Sequence, residues 1–254
     1  MNISRADISI STEKNISFST APVFHGALMQ MLPAEYSAKL HISELHPYTQ
    51  HLERRGDEWH WVLTFLNEEA SDNIWSKTLS GCDSIFLEHS ENRIKLGKRE
   101  YDVLPYKELN NIFQTECDSN IEYLNFISPT SFKQNGNYVM YPDLKLIYQS
   151  IMKKYSMSVQ TEDMFDEDTL EQLCERSRIV AYNLKSCKFN LESIAIPAFT
   201  GRISIKCSGT STMQKFLHML LKFGTYSGVG IKTGLGMGAI SIGREERKGD
   251  RKMS

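Results

Sequence analysis

Seven of the chain's fifteen glycines fall within residues 224–243, in the run GTYSGVGIKTGLGMGAISIG. The run leaves a helical pattern at about 210–223 (TSTMQKFLHMLLKF) and enters a short apolar segment, AISI. This order of helix, glycines and strand excludes two common folds. A phosphate-binding P-loop needs GxxxxGK[ST] between a strand and the helix that follows, and here Ile231 stands before Lys232 and Thr233. A dinucleotide fingerprint needs GxGxxG opening a helix; Gly228 and Gly230 are followed by Gly234, one residue late. What remains is a glycine-rich loop carrying one lysine. Its bare backbone N–H groups can approach a phosphate closely, and the missing side chains clear room for an extended phosphodiester chain.

Charge supports a polyanionic ligand. The formal net charge is −2, but the charges are segregated. Seven acidic residues and no basic one lie between Glu162 and Glu175, whereas Ser193–Arg244 holds six Lys/Arg and no acid. A near-neutral total therefore hides a basic region, and the local field is what attracts a polyanion.

The pattern of apolar residues predicts an α+β protein. Residues 5–11 read as a strand. Thr20-Ala21-Pro22 opens a helix with apolar positions at 24, 28 and 32, and Pro33 starts a second short helix over roughly 34–41. A strand at 58–66, a helix near 67–79 and strands near 83–89 and 92–104 give β-α-β-β-α-β-like content with a divided first helix, read as a ferredoxin-like module. The polar stretch 107–120 reads as a boundary. A strand at 121–128, a hairpin turning at Asn135-Gly136, helices near 142–157 and 166–177, strands at 178–191 and 196–207, and the final helix, glycine run and strand repeat a similar order. The prediction is two tandem ferredoxin-like (RRM-like) domains, residues 1–115 and 120–244, followed by a charged, disordered tail at 245–254.

No run of eighteen apolar residues exists, which predicts no transmembrane helix and no membrane partner. The N-terminus has no apolar stretch of the secretory type. Five cysteines, odd in number and never in CxxC spacing, fit a reducing cytoplasm rather than a disulfide framework. The histidines at 41, 46 and 51 have no HExxH character, so neither a metal nor another cofactor is expected.

The glycine run closely resembles the C-terminal signature of the CRISPR-associated repeat-cleaving endoribonucleases, the Cas-six family of the repeat-associated RNA-binding superfamily. The resemblance spans about residues 3–243, through FHGALMQML (24–32), AKLH (38–41), SPTSFKQNGNYVMYPD (128–143) and KSCKFNLESIAIPAFTG (185–201). It is closest to members that accompany type III-A systems. It implies metal-independent cleavage of CRISPR precursor RNA: the ribose 2′-OH attacks the adjacent phosphate, leaving a 2′,3′-cyclic phosphate and a 5′-OH. It also admits a homodimer and transient contact with a type III effector complex; the alternative is a non-catalytic RNA-binding subunit of such a complex.

That chemistry needs a base, an acid and a cation for the phosphorane charge. The candidate acid–base groups are His25, Tyr36, His41, His46 and Tyr48. His41 matches the family's histidine at the end of the divided helix, where the negative end of the helix dipole favours the imidazolium, a proton donor. His25, expected in the first turn of its own helix, is favoured as the neutral base, and His46 is the further candidate. Lys39 or Lys232 supplies the cation. RNA contacts are expected from Lys232, Thr233, Gly228, Gly230, Gly234 and Gly236, with Lys39, Lys133 and Arg202 as backbone contacts. Tyr226, Phe132 and Tyr138 are candidates for base stacking, although hairpin packing suits Phe132 and Tyr138 better.

Overall fold

The computed structural model describes residues 2–43, 45–111, 119–158, 165–191 and 194–243. The tail at 245–254 and the acidic residues Glu162 and Asp163 lie outside the described residues. The first half begins with β1 (Asn2–Ser11), then a divided helix, α1 (Ala21–Met31) and α2 (Ala34–Ile42). The hairpin β2 (Tyr48–Arg55) and β3 (Glu58–Phe65) follows. Helix α3 opens with one turn at Glu68–Ala70 and continues as a π-helix over Ser71–Leu79; β4 (Ser84–Leu87) and β5 (Asn92–Pro105) complete the half. The antiparallel sheet runs β2-β3-β1-β5-β4.

A short helix, α4 (Tyr106–Asn111), precedes the second half. It comprises β6 (Ile121–Thr130), a hairpin β7 (Phe132–Gln134) and β8 (Asn137–Val139), then α5 (Leu144–Ser158) and α6 (Glu167–Arg176). The long hairpin β9 (Ser177–Leu191) and β10 (Ile194–Cys207), α7 (Ser211–Ser227), the glycine-rich segment and β11 (Ile240–Ile242) follow. Its sheet runs β11-β6-β10-β9, all antiparallel. In each half the leading strand sits inside the sheet, between the strand that closes the β-β pair and the last strand. That is the ferredoxin-like order, and the first sheet carries β4 as an added edge.

Local chemistry fixes the parts that position the site. Proline clashes with a helical residue before it, so Leu32, with φ −70° and ψ 152°, leaves the helix and α2 restarts after Pro33. α1 then buries Phe24, Ala27 and Leu28 at i, i+3, i+4, and α2 buries Tyr36 and Leu40. At the predicted β7–β8 turn, Asn135 and Gly136 both adopt positive φ, 50° and 82°, as a two-residue hairpin requires.

Two elements were not predicted: helix α4, at the start of the polar boundary, and strand β2, which carries His51. The strand YTQHLERR escapes an apolar pattern because it buries polar residues, Thr49 and Gln50. Gln50 Nε2 donates to the Ala21 carbonyl at 2.8 Å and its Oε1 accepts from Trp61 Nε1, so the buried amide is satisfied.

The core of the first sheet gathers Ile8, Phe24, Leu28, Trp61 and Phe65 against α1 and α2. That of the second takes in Ile3, Leu66, Tyr106 and Leu109 from the first half, and Tyr106 Oη donates to the Leu66 carbonyl at 3.1 Å. A smaller cluster, Phe189, Ile196, Ala198 and Met237, seats the β9–β10 hairpin on the glycine-rich segment.

Candidate active site

The glycine-rich segment is a knotted-down loop in which several backbone donors are taken up within the protein. Val229 N donates to the Gly238 carbonyl at 2.8 Å, Ile231 N to Ser131 at 3.0 Å, Leu235 N to Lys232 at 2.9 Å and Gly238 N to Pro129 at 3.0 Å. Two glycines show why no side chain is admitted. Gly238 has φ +73° and a Cβ there would collide with the Val229 carbonyl; Gly236 has φ +105° and packs directly on Ala21 at the start of α1. The loop therefore lies against the first half of the molecule, and Lys232, itself in the left-handed region at φ 57°, is exposed at its turn.

Facing this turn are three histidines. His41 lies exposed in the last turn of α2, and His46 follows in the connection to β2. His25 is the fifth residue of α1, beyond its first turn, so its environment and not the helix dipole sets its proton affinity. The rings of His25, His46 and Tyr48 lie nearly parallel: His25–His46 at 5.9 Å and 12°, His46–Tyr48 at 5.6 Å and 14°. Gly234 makes room for this stack, because a Cβ there would lie 2.9 Å from His46 Nδ1.

Burial first, then the neighbouring His46 and His41, lowers His25 to about 4; Lys232 acts in the same direction and a hydrogen bond to the Gly234 backbone opposes it. His46 is lowered too, by burial and then by His41 and Lys232. Both are neutral imidazoles at neutral pH. Tyr48 is fully buried, which raises its phenol well above the ordinary value. It keeps its proton and its Oη lies 2.7 Å from His25 Nδ1. With Tyr48 donating to Nδ1, the ring's bond to the Gly234 backbone needs the proton on Nε2, which fixes the His25 tautomer.

The site thus unites His25, His41 and His46 with Lys232 and Gly234, more than 180 residues later in the chain. Gly228, Gly230 and Gly236 shape the same loop with positive φ. Thr233 is buried, its Oγ1 accepting from Lys154 Nζ at 3.2 Å, so its side chain faces inward. Lys39 forms an exposed ion pair with Glu69 at 2.6 Å. Lys133 is exposed on β7, and Arg202 sits mid-sheet on β10 opposite Asn125 and Asn183. Phe132 is buried in hairpin packing, and Tyr226 has the Arg5 guanidinium 4.4 Å over its ring. Tyr36 is buried, its hydroxyl without a hydrogen-bond partner among the described residues. Sequence reasoning missed Ser150 and Lys154, which hold the loop from α5 and carry no local signal. Among the described residues no group of three His, Cys, Asp or Glu is disposed to hold a metal, and no helix is long and apolar enough to cross a membrane.

The sequence model of the CRISPR-associated endoribonuclease Cas6 matches residues 124–240. A Streptococcus thermophilus protein named CRISPR-associated endoribonuclease Cas6 is 36% identical over 225 residues, 89% of this chain and 91% of its own. Its namesake from Mycobacterium tuberculosis is 31% identical over 223 residues, 87% and 71% of the two chains. Among solved structures, a Cas6 (TTHA0078) product complex is similar with TM-score 0.79 at 19% identity, over 96% of this chain and 100% of that one. Thermus thermophilus Cas6 (TTHB231) gives 0.68 at 20% identity, over 94% and 98%. At such identity the structural likeness speaks for the fold alone.

Proposed function

This chain belongs to the CRISPR-associated endoribonuclease Cas6 family, and we propose that it cleaves CRISPR repeat RNA through the histidine cluster between its two halves. The observation that carries this reading is the convergence of His25, His41 and His46 with Lys232 from the distant glycine-rich loop. Attack by the 2′-OH on its own phosphate needs a proton taken from that hydroxyl and one given to the departing 5′-oxygen. His41, exposed at the end of α2, is the donor. The base is a neutral histidine. His46 is the less enclosed of the two, whereas His25 has its Nδ1 engaged by Tyr48 and braces His46 from beneath. Lys232 lends positive charge to the phosphorane.

The two ferredoxin-like units, 1–115 and 120–244, act as domains of one enzyme, with the RNA lying across their junction. The precursor RNA is the partner. Release of the product to a type III effector complex and pairing with a second copy of the chain belong to the same reading, and sedimentation with and without RNA reads the latter.

The test incubates the protein with cognate repeat RNA in excess EDTA, beside the same RNA bearing one 2′-deoxy residue at the cut site. Cleavage of the all-ribose strand alone is expected. His41→Ala and His46→Ala should each slow it roughly a hundredfold or more, and His25→Ala by about tenfold. Binding without cleavage in the wild type would support the alternative, an RNA-binding subunit. A requirement for added metal would overturn the mechanism.

A further inference from the structure

Lys154 on α5 is 4% exposed, yet no carboxylate accompanies its ammonium among the contacts that hold it. Its Nζ donates to the Ser227 carbonyl at 2.9 Å, the Gly228 carbonyl at 3.2 Å and Thr233 Oγ1 at 3.2 Å. An ammonium has three N–H donors, and here each finds one acceptor. The two carbonyls belong to the C-terminal end of α7, where helix carbonyls lack intrahelical partners and the dipole is negative. A helix end thus supplies what a carboxylate would normally supply to a buried cation. The burial is still costly, and it lowers the group to about 7.

The three acceptors bracket the loop that faces the histidines. Ser150, one turn before Lys154 on the same face of α5, accepts from Gly230 N at 2.9 Å. Residues 227–233 are therefore gripped at four points by one helix. The Thr233 methyl lies between Gly228 and Gly238, within 3.1 Å of where a Cβ on either would stand. Turning the Thr233 side chain would open the loop at its centre, and Lys232 and Gly234 are its immediate neighbours.

We propose that Lys154 is a positioning residue for RNA cleavage: by holding Ser227, Gly228 and Thr233 it sets the glycine-rich loop so that Lys232 and Gly234 meet His25 and His46. This rests on the cleavage reading above. A lysine kept only for packing would be replaceable by a methionine of similar length, because an apolar group is easier to bury than an ammonium.

The test uses the full chain with Lys154→Met and Thr233→Val, the second removing one acceptor and keeping the shape of the side chain. Single-turnover cleavage of repeat RNA, thermal melting and the ring resonances of His25 and His46 are measured on each. Lys154→Met is expected to slow cleavage at least tenfold and to shift both histidine resonances; Thr233→Val is expected to move both readouts the same way by a smaller amount. Lys154→Met protein that melts earlier but cleaves at the wild-type rate, with both resonances unmoved, would reduce Lys154 to a packing residue and overturn the proposal. If Lys154→Met does not fold, unchanged rate and resonances in Thr233→Val do the same. Failure of the wild type itself to cleave counts against the cleavage reading alone, and the histidine resonances still judge whether Lys154 sets the loop.

Discussion

A methyl group on residue 234 would lie 2.9 Å from His46 Nδ1, inside van der Waals contact. Gly234→Ala should therefore tilt the His46 ring and slow RNA cleavage about tenfold, equivalent to 1.4 kcal/mol in the barrier, while thermal melting changes little. A single-turnover rate at the wild-type value would show that His46 does not need its stacked position. His25 yields a prediction in pH. Its folded value is about 4 against an ordinary 6.5, so between these values the unfolded chain binds the extra proton. The stability it contributes is complete above pH 6.5 and is lost as pH falls through 4, up to about 3 kcal/mol. Urea unfolding should show the wild type losing more stability between pH 7 and 4.5 than His25→Asn does; equal losses would remove the burial of His25 as the cause. Among the histidines, His41 was singled out because the family resemblance puts a histidine at the end of the divided helix, and the structure sets it near His25 and His46. Lys154 was not: it follows Lys153, which is exposed, and only the tertiary position of the α7 end distinguishes the two.

At the scale of elements, α7 is tied to β6 by an ion pair whose pH dependence runs the other way. His218 Nδ1 lies 2.9 Å from Glu122 Oε1, and that hydrogen bond raises the histidine against the opposing effect of burial. A raised group contributes stability that is complete below the unfolded value near 6.5 and disappears as pH rises through the folded one. His218→Gln should consequently cost stability at pH 5.5 and almost none at pH 9, read by urea midpoints; a cost independent of pH would assign the contact to packing. Most elements were readable from apolar period and turn residues: the divided helix from Pro33, the hairpin from Asn135-Gly136, and the ferredoxin-like order of the second half. β2 was not, because Thr49 and Gln50 are buried polar positions whose partners, Tyr226, Ala21 and Trp61, come from elsewhere in the chain. A pattern of hydrophobicity cannot register a strand that satisfies its interior with hydrogen bonds.

Over the whole molecule, the site exists because the two halves are held in one relation. Arg5, on β1 of the first sheet, reaches the end of α7: its Nη2 donates to the Thr225 carbonyl at 2.5 Å and its guanidinium stacks on Tyr226. Thr49 Oγ1 donates to the Tyr226 carbonyl at 3.1 Å from β2. These contacts end one residue before Ser227, the first acceptor of Lys154, so the seam between the sheets and the glycine-rich loop are mechanically continuous. Arg5 is costly to bury: its Nε has no partner among the described residues and burial lowers its pKa. Removing it therefore has two opposed effects. Arg5→Ala loses a charged hydrogen bond, the stacking and the packed stem, about 2–3 kcal/mol. Arg5→Met loses the first two, keeps the stem and relieves the buried charge, so it should be less destabilised by about 1 kcal/mol. In both variants the rate of RNA cleavage should fall even where melting shows the protein folded, because Tyr226 is released beside the loop that carries Lys232. Folded Arg5→Met that cleaves at the wild-type rate would mean that the histidines and Lys232 keep their relation without this contact, leaving the alignment of the halves to the shared core around Ile3, Leu66 and Tyr106.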